Sequence, residues 1–423
     1  MKSHAIRVLG AVLLLTYASL SLGQMPQPTA ADASSAERLK QDFTVFDPQY
    51  ASDYRARGAR LIELKAKVVA QEATGVKNDC AQQILFEAGT LLITTADFKR
   101  IDRRTDELAI AIAHPSQDKP DAEGMWGSCS EQWFLKLENT FDRLQSEAHT
   151  LPDGPARPLP AFLARVSTPG KLATWLDAIA ISDVPYTGID HGLEFNLTNS
   201  DLVRLLVLGE PQNYKIDPVL RDAYVQYLLG PARNPQTGMW GERYRRDGRV
   251  EYVDDISTSF HIISYLDGKV PDISRAVDTL LAVKDRNSPA GWLQFGQYWN
   301  HNNVDVVTVF QYGWPTASPE QRKAMAAEID RMLTWCLHDS LQPDGSFKMT
   351  AGDPTLEYAE QFGVEFLDRI GFFDPEHRFW TDRPFLPESA DVGKRIAGFI
   401  ARHQDSAPDR DEYRRMLREI EGK

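Results

Sequence analysis

The sequence predicts an all-α protein, because helical periodicity dominates it and strand patterns are scarce. From about residue 37 onward, apolar residues recur every three or four positions, as at Leu61, Leu64 and Val68, which is the spacing of an amphipathic helix. Runs of β-branched residues with strict alternation are few, so an open sheet is not expected. The 423 residues are 42% hydrophobic and 25% charged, which is ample material for a globular core.

The N-terminus has the features of an export signal. Basic residues precede an apolar stretch over residues 8–20, and small residues precede a cleavage position after Gly23. The sequence therefore predicts a signal peptide over residues 1–23, a flexible leader over 24–36, and a periplasmic or secreted protein. An uncleaved membrane anchor is the alternative reading of this segment.

The net charge limits the kinds of partner that are expected, and the cysteine content bears on possible disulfides. The formal net charge is −13, and such a surface repels nucleic acid and anionic membranes, so neither is expected as a partner once the signal is cleaved. In an oxidising compartment the three cysteines allow one internal disulfide and one free thiol. A bridge between Cys80 and Cys129 is one possibility that the sequence leaves open.

Four short turns that combine glycine with an aromatic residue recur along the chain. Their first glycines, at 124, 238, 291 and 345, are separated by 114, 53 and 54 residues. A unit of about 54 to 57 residues fits all four and holds one helical hairpin. The sequence therefore predicts an (α/α) toroid of six or seven helical hairpins, forming a single domain over residues 37–423. An open solenoid or a plain bundle is the alternative packing.

Polar and aromatic residues cluster where the inner helices of such a toroid would begin. Amides, imidazoles and aromatic faces side by side suit a carbohydrate, because rings stack on sugars while polar groups bond to hydroxyls. A helix N-cap is the competing explanation for Asn303, and a place in the core is the competing explanation for His261 and for the tryptophans of the turns. The predicted substrate-binding residues are Asn196, His191, Trp240, Glu242, Arg243, Trp299, His301 and Asn303.

The repeat, the export signal and the scattered Asn, His and Tyr positions resemble the (α/α)-barrel polysaccharide lyases, in particular the seven-hairpin alginate and glucuronan lyases. The resemblance covers about residues 110–380 and implies β-elimination on a uronic-acid polymer. It also implies that an Asn and a His neutralise the uronate carboxylate and that a Tyr acts as base and acid. Carried over to this sequence, those roles fall to Asn199 and His261, with Tyr298 or Tyr312 as the tyrosine.

The alternative function is a glycoside hydrolase on a similar barrel, which needs two carboxyl groups. The sequence offers several candidates, and a glycan-binding protein without catalysis or a relative of the terpenoid cyclases remains a third reading. No cofactor is expected, and no metal site is expected because no His, Cys or carboxylate spacing typical of one occurs. The carboxylates available for a hydrolase are Asp190, Glu194, Glu242, Asp254, Asp255, Asp305 and Glu357.

Overall fold

The computed structural model describes most of the chain after the predicted leader. The described residues are 51–95, 97–148, 157–288, 290–294, 296–350, 353, 356–403 and 410–421. The predicted signal peptide and leader lie outside them. Within these residues the chain is mostly helical, as the sequence predicts. No helix among them is both long and apolar enough to cross a membrane.

The described chain forms two compact units. The first comprises the residues up to Ala232 together with Gly241–Val253, and the second comprises Arg233–Trp240 together with the residues from Asp254 onward. The arrangement of hairpins in a closed ring and the single domain over residues 37–423 stay predictions.

The first unit holds eight helices among its described residues. They are α1 (Ala51–Ala73), α2 (Asp79–Thr94), α3 (Phe98–Ala113), α4 (Trp133–Ala148), α5 (Pro169–Ile179), α6 (Val184–Thr187), α7 (Gly192–Val203) and α8 (Pro218–Leu229). The first three pack on one another around a continuous apolar core, and α7 packs against both α4 and α5.

Side-chain caps explain where several of these helices begin. The Asn78 side chain accepts a hydrogen bond from the backbone N–H of Ala81 at the start of α2, and Asp97 does the same for Arg100 at the start of α3. Each cap satisfies one of the backbone donors that the first helical turn leaves unpaired. These two helix boundaries are therefore encoded by residues next to them in the sequence.

A two-stranded hairpin, which the sequence analysis did not predict, is the only sheet in the described part of the chain. Strand β1 (Trp240–Arg246) and strand β2 (Arg249–Asp255) are joined at Asp247 and Gly248. Both turn residues have positive φ, at 48° and 73°, which is the conformation of a tight hairpin turn and the reason that Asp-Gly favours one. The four arginines between positions 243 and 249 therefore belong to this hairpin.

The second unit holds seven helices among its described residues. They are α9 (Ile256–Tyr265), α10 (Ile273–Ala282), α11 (Asn300–Gly313), α12 (Pro319–Trp335), α13 (Leu356–Arg369), α14 (Glu388–His403) and α15 (Arg410–Ile420). Helix α11 is central, because α9, α10, α12 and α13 all pack against it. Side chains on every side of α11 are buried, and its sequence is accordingly rich in valine and has no exposed charged residue.

The C-terminal segment is rich in charge but also contributes to the core. Its described residues form α14 and α15, each with a buried apolar face. Ile396 and Ile400 of α14 and Met416 of α15 are completely buried. The charged side chains of this segment lie on the outer faces of the helices, and they make the apolar spacing hard to recognise in the sequence.

The four glycine turns have a common structural reason. Gly124, Gly238 and Gly345 adopt positive φ, which favours glycine. Gly291 has no positive φ, but a Cβ there would lie 2.3 Å from the Arg286 carbonyl oxygen. The repeat seen in the sequence is therefore a repeat of turns that favour glycine, through backbone conformation at three positions and through space alone at Gly291.

Candidate functional site

Two carboxylates and a tyrosine meet in the first unit, in what we call the carboxylate site: Asp190, Glu242 and Tyr244. The Tyr244 hydroxyl oxygen lies 2.9 Å from Asp190 Oδ2 and 2.7 Å from Glu242 Oε2. Asp190 and Glu242 are half-buried and the tyrosine is buried. The three groups are therefore close enough to exchange protons while two of them remain in contact with solvent.

Local backbone structure brings these residues together. Glu242 and Tyr244 are two positions apart on β1, so their side chains lie on the same face of the strand. The Ser182 N–H donates to the Arg243 carbonyl oxygen and the Arg245 N–H donates to the Ser182 carbonyl oxygen, both at 2.8 Å. These two bonds hold β1 beside the segment that leads to Asp190.

Asp190 is fixed at the N-terminus of α7. Its Oδ1 accepts a hydrogen bond of 2.8 Å from the Gly192 N–H, and the His191 N–H donates to Ser182 Oγ, also at 2.8 Å. A carboxylate in this position is stabilised by the unpaired backbone donors of the first helical turn. One oxygen of Asp190 is thereby held by the helix while the other faces Tyr244.

The proton count of the carboxylate site is its most informative property. A phenol hydroxyl carries one proton and therefore donates one hydrogen bond, whereas an ionised carboxylate can only accept. Two carboxyl oxygens at hydrogen-bonding distance from one hydroxyl are both satisfied when one carboxyl group is itself protonated and donates to the phenol oxygen. The geometry thus brings two carboxyl groups to one hydrogen-bond donor, and the two groups compete for its single proton.

The phenol of Tyr244 stays protonated in this setting. Burial is the largest cause of its raised pKa, and the adjacent Glu242 and Asp190 carboxyl groups raise the pKa further. A phenolate between two carboxylates would be repelled by both. Tyr244 therefore acts as a hydrogen-bonding group that orients the carboxyl groups.

Glu242 reaches this position because residue 192 has no side chain. A Cβ at Gly192 would lie 2.4 Å from Glu242 Cγ, which is much less than a van der Waals contact. Gly192 has no positive φ, so the constraint is one of space alone. The glycine before Leu193 is thus part of the site although it carries no functional group.

Further polar and aromatic residues lie close to Asp190 in the sequence. His191 Nδ1 lies 2.9 Å from Glu194 Oε2, and these two side chains are 23% and 24% exposed. Tyr186, four residues before Asp190, is 88% exposed. Exposed aromatic rings are among the groups that sugar-binding surfaces use.

The second unit contains a separate group, the tyrosine–histidine cluster: Tyr358, His301 and Asp305. The Tyr358 hydroxyl lies 2.5 Å from His301 Nδ1, and His301 Nε2 lies 3.8 Å from Asp305 Oδ2. Phe362 stacks on the imidazole with ring centroids 4.4 Å apart. The imidazole thus connects a phenol to a carboxylate, although both Tyr358 and Asp305 are buried.

Burial sets the protonation of this cluster as well. It is the largest cause of the raised pKa of Tyr358, and the charge of Asp305 raises that pKa further. Nearby, Trp299 Nε1 donates to Asp353 Oδ1 at 2.8 Å, and burial raises the pKa of that aspartate. The polar groups around α11 are therefore largely enclosed.

The structure places the predicted lyase asparagines on one helix, α7, of the first unit. Asn199 is completely buried. Its Nδ2 donates to the Phe195 carbonyl oxygen and its Oδ1 accepts from the Tyr224 hydroxyl at 2.7 Å. Asn196 is half-buried on the same helix. Asn199 therefore serves the core of this unit in the described state.

The histidine and the tyrosines predicted for the lyase have their own packing partners in the second unit. His261 stacks on Tyr265 within α9 at 5.5 Å. Tyr298 faces Trp335 at 6.0 Å, and the Tyr312 ring occupies the space that a Cβ at Gly268 would need. Each is half-buried, so each has both core and surface contacts.

The remaining predicted binding residues have mixed environments. The Trp240 and Trp299 side chains are buried. Arg243 is buried too, and its Nη1 donates to the Pro231 carbonyl oxygen at 2.7 Å. Asn303 is completely buried, and neither atom of its amide has a hydrogen-bond partner among the described residues. Of the predicted binding residues, Glu242 and His191 therefore lie in or beside the carboxylate site, and His301 lies in the tyrosine–histidine cluster.

Two residues of these sites were not singled out from the sequence. Tyr244 follows Glu242 by two positions, and the Asp-Gly turn at 247–248 was the signal that this segment is a strand with alternating faces. Tyr358 lies in a helix opening that the sequence analysis treated only as a carboxylate source. Its partner His301 is 57 residues away, close to one repeat unit.

Neither metal ligands nor comparison with known proteins assigns a function to these sites. Among the described residues, no group of three or more His, Cys, Asp or Glu side chains could hold a metal ion. No known protein family, curated protein or solved structure matches this chain.

Proposed function

We propose that this chain is a glycoside hydrolase that cleaves its substrate with the carboxyl groups of Asp190 and Glu242. The observation that carries the proposal is the Tyr244 hydroxyl within hydrogen-bonding distance of both groups. Glycosidases need one carboxyl group that donates a proton and one that is ionised, and a shared hydroxyl favours that division. Two of the carboxylates named from the sequence for this function thus carry it.

The separation of the two groups bears on the mechanism. Two oxygens bonded to one hydroxyl are less than about 6 Å apart, which is closer to the roughly 5–5.5 Å of retaining glycosidases than to the wider spacing of inverting ones. In the retaining reaction one carboxylic acid protonates the glycosidic oxygen while the other carboxylate attacks the anomeric carbon. Water then hydrolyses the glycosyl ester, with the first group acting as base.

Within this proposal, Asp190 is the carboxylate and Glu242 the acid. The Gly192 N–H donates a hydrogen bond to Asp190, which favours the ionised form of that group, so the acid role is given to Glu242. Tyr186 provides an exposed ring on which a sugar would stack.

We also propose that the protein is exported and that its helical hairpins close into a toroid. The disulfide between Cys80 and Cys129 supports export, because such bonds persist in oxidising compartments. The regular spacing of the glycine turns supports repeated hairpins.

The test is an assay of reducing ends on neutral and acidic glycans, with the anomeric configuration of the first product followed by NMR. Glu242→Gln and Asp190→Asn should each lower kcat by about 10²–10⁴-fold. The matched control is Asp247→Asn, since Asp247 is an exposed carboxylate in the hairpin turn, away from the site. Full activity in both site variants, or release of no reducing ends from any glycan, would contradict the proposal.

One observation favours a second candidate, the β-eliminating lyase acting on a uronic-acid polymer such as alginate or glucuronan. It is the contact between Tyr358 and His301, because an imidazole that accepts the phenol proton would prepare a tyrosine base. In that reaction Tyr358 would take the role first assigned to Tyr298 or Tyr312.

Ultraviolet absorbance separates the two candidates, since β-elimination leaves a double bond conjugated to a carboxylate and hydrolysis does not. A rise with alginate or glucuronan that disappears in Tyr358→Phe but persists in Glu242→Gln would establish the lyase. New reducing ends without a rise in absorbance would exclude it.

A further inference from the structure

A cavity of about 590 Å³ lies in the second unit, apart in sequence from the residues used above. It is formed by the turn after α12, by the chain leading to Lys348 and by one residue of α14. The residues that line it are His338, Asp339, Leu341, Gln342, Pro343, Lys348 and Arg395. None of them belongs to the carboxylate site or to the tyrosine–histidine cluster.

Positive charge prevails among these side chains. Lys348 and Arg395 are cationic, His338 adds an imidazole, and Asp339 is the one acidic group in the lining. Lys348 is exposed, and its ammonium group forms no hydrogen bond or ion pair with any described residue. The cavity is therefore a local positive region on a chain whose net charge is −13.

The guanidinium of Arg395 is held in place by the backbone that forms the cavity wall. Its Nη2 donates to the Gln342 carbonyl oxygen at 2.7 Å. Arginine has five N–H donors, so this bond fixes the plane of the group and leaves other donors for a ligand. An oriented guanidinium presents the paired geometry that carboxylates and other oxyanions match.

The turn that carries Lys348 is fixed as well. The Lys348 N–H donates to the Ser340 carbonyl oxygen and the Gln342 N–H donates to the Ser346 carbonyl oxygen, each at 2.7 Å. Gly345 packs so closely on α14 that a Cβ there would lie 2.2 Å from the Arg395 carbonyl oxygen. The backbone that carries both cationic side chains is thus preformed, which lowers the entropy cost of binding.

We propose that this cavity binds a sugar acid, with the carboxylate between Lys348 and Arg395. The amide of Gln342 and the imidazole of His338 are suited to the sugar hydroxyls, since both are hydrogen-bonding groups in the lining of the same cavity. Inorganic sulfate or phosphate shares the oxyanion chemistry but has no hydroxyl ring for these groups. Binding here does not depend on the proposed hydrolysis and is measured without turnover.

The test is calorimetric or NMR titration of the full chain with glucuronate, glucose and inorganic sulfate at low ionic strength. We expect saturable binding of glucuronate that is at least tenfold tighter than that of glucose or sulfate. Lys348→Gln, which removes the charge but keeps a hydrogen-bonding group, should weaken glucuronate by about tenfold. Lys323→Gln, at an exposed lysine of α12 outside the cavity, is the matched control and should change nothing.

Three outcomes would overturn the proposal. Equal binding of glucuronate and glucose would show that the carboxylate is not recognised. Equal or tighter binding of sulfate would identify a site for inorganic anions, and unchanged binding in Lys348→Gln would place glucuronate elsewhere. A Glu242→Gln protein should bind glucuronate normally, which separates this site from the hydrolase.

Discussion

The hydroxyl of Tyr244 is the smallest feature on which the proposed hydrolysis depends. It contacts Asp190 and Glu242 at once and so orients the two groups. In Tyr244→Phe the two carboxyl groups would lose their common partner while the ring kept its packing. The residue therefore offers a change to the chemistry with little change to the fold.

We predict that Tyr244→Phe lowers kcat/KM of glycan hydrolysis by about tenfold to a hundredfold, because one hydrogen bond to a charged group is worth about 1.5–3 kcal/mol. The pH–rate profile should also change, since the carboxyl groups would no longer share a hydroxyl. The measurement is kcat/KM against pH beside Tyr252→Phe, a half-buried tyrosine on β2. An unchanged profile would show that Tyr244 has no part in positioning the acid and the base.

Gly192 permits a second prediction at a single position. Gly192→Ala places a methyl group where Glu242 Cγ now lies, and should displace that carboxylate and lower activity by at least tenfold. Gly170→Ala, at the start of α5, is the control because a Cβ there meets nothing within 4 Å. The assay is hydrolysis together with thermal unfolding. Equal activity in the two variants would contradict the placement of Glu242.

What the sequence revealed of single residues depended on their neighbours in the chain. Asp190, His191, Glu194 and Glu242 attract notice as polar residues beside a helix start or a turn. The contacts of Asn199 with Phe195 and Tyr224 arise from packing inside the unit. A residue's chemical type can be read from the sequence, but its burial depends on contacts that are distant in the chain.

At the scale of the element, the glycine turns are the features most open to experiment. Gly345 has φ of 95° and also lies against α14, whereas Gly124 has φ of 82° and would have nothing within 4 Å of a Cβ. Two otherwise similar turns thus differ in whether space, as well as backbone conformation, requires glycine.

We predict that Gly345→Ala destabilises the protein more than Gly124→Ala does. The second change costs only the unfavourable backbone conformation, about 1–3 kcal/mol, while the first adds a clash with the Arg395 backbone. Urea unfolding of the two variants measures the difference. Gly345→Ala should also weaken glucuronate binding, since the displaced helix carries Arg395. Equal stabilities would mean that the turn moves freely on α14.

Most helices could be predicted because their apolar spacing and caps are local. The hairpin of β1 and β2 could not, since its strands carry many charged side chains. The structure assigns this segment to a sheet through pairing across the Asp-Gly turn. Local sequence preference determines a helix more often than a strand, because a strand also needs a partner strand elsewhere in the chain.

For the whole molecule, the bond between Cys80 and Cys129 is the strongest covalent constraint among the described residues. Their Cα atoms are 5.3 Å apart and their positions differ by 49 residues. The sequence left this pairing open because spacing alone does not fix connectivity. The bond ties α2 to the segment before α4 and so limits the unfolded chain.

We predict that replacing both cysteines by serine lowers the free energy of unfolding by roughly 2–4 kcal/mol, chiefly by freeing the unfolded chain. Calorimetry with and without a reducing agent measures this. Reduction should lower the Tm of the natural protein but leave that of the double variant unchanged. A natural protein that is insensitive to full reduction would contradict a stabilising role for the bond.

Stability should also depend on pH through Glu360 of α13. Its side chain is completely buried, and its Oε1 accepts a hydrogen bond of 2.7 Å from the Phe347 N–H. Burial is the largest cause of a pKa raised from 4.5 to about 8, and the bond from Phe347 only partly opposes it. The folded state therefore keeps a proton that the unfolded chain releases at lower pH.

The sign of the effect follows from this difference in proton binding. Below pH 4.5 both states hold the proton and the group costs nothing. Between pH 4.5 and about 8 the folded state binds more protons than the unfolded state, so stability falls as pH rises.

Glu360→Gln keeps the acceptor for Phe347 without the ionisation and should flatten this fall by an amount on the order of a few kcal/mol. Glu357→Gln, on the same helix but half-buried, should reduce the fall only slightly, because the Glu357 charge is the smallest of the causes that raise the pKa of Glu360. Urea unfolding of the three proteins at pH 5, 6.5 and 8 measures the slopes. If Glu360→Gln and the natural protein lose stability in parallel, Glu360 is ionised in the folded state and its burial is compensated.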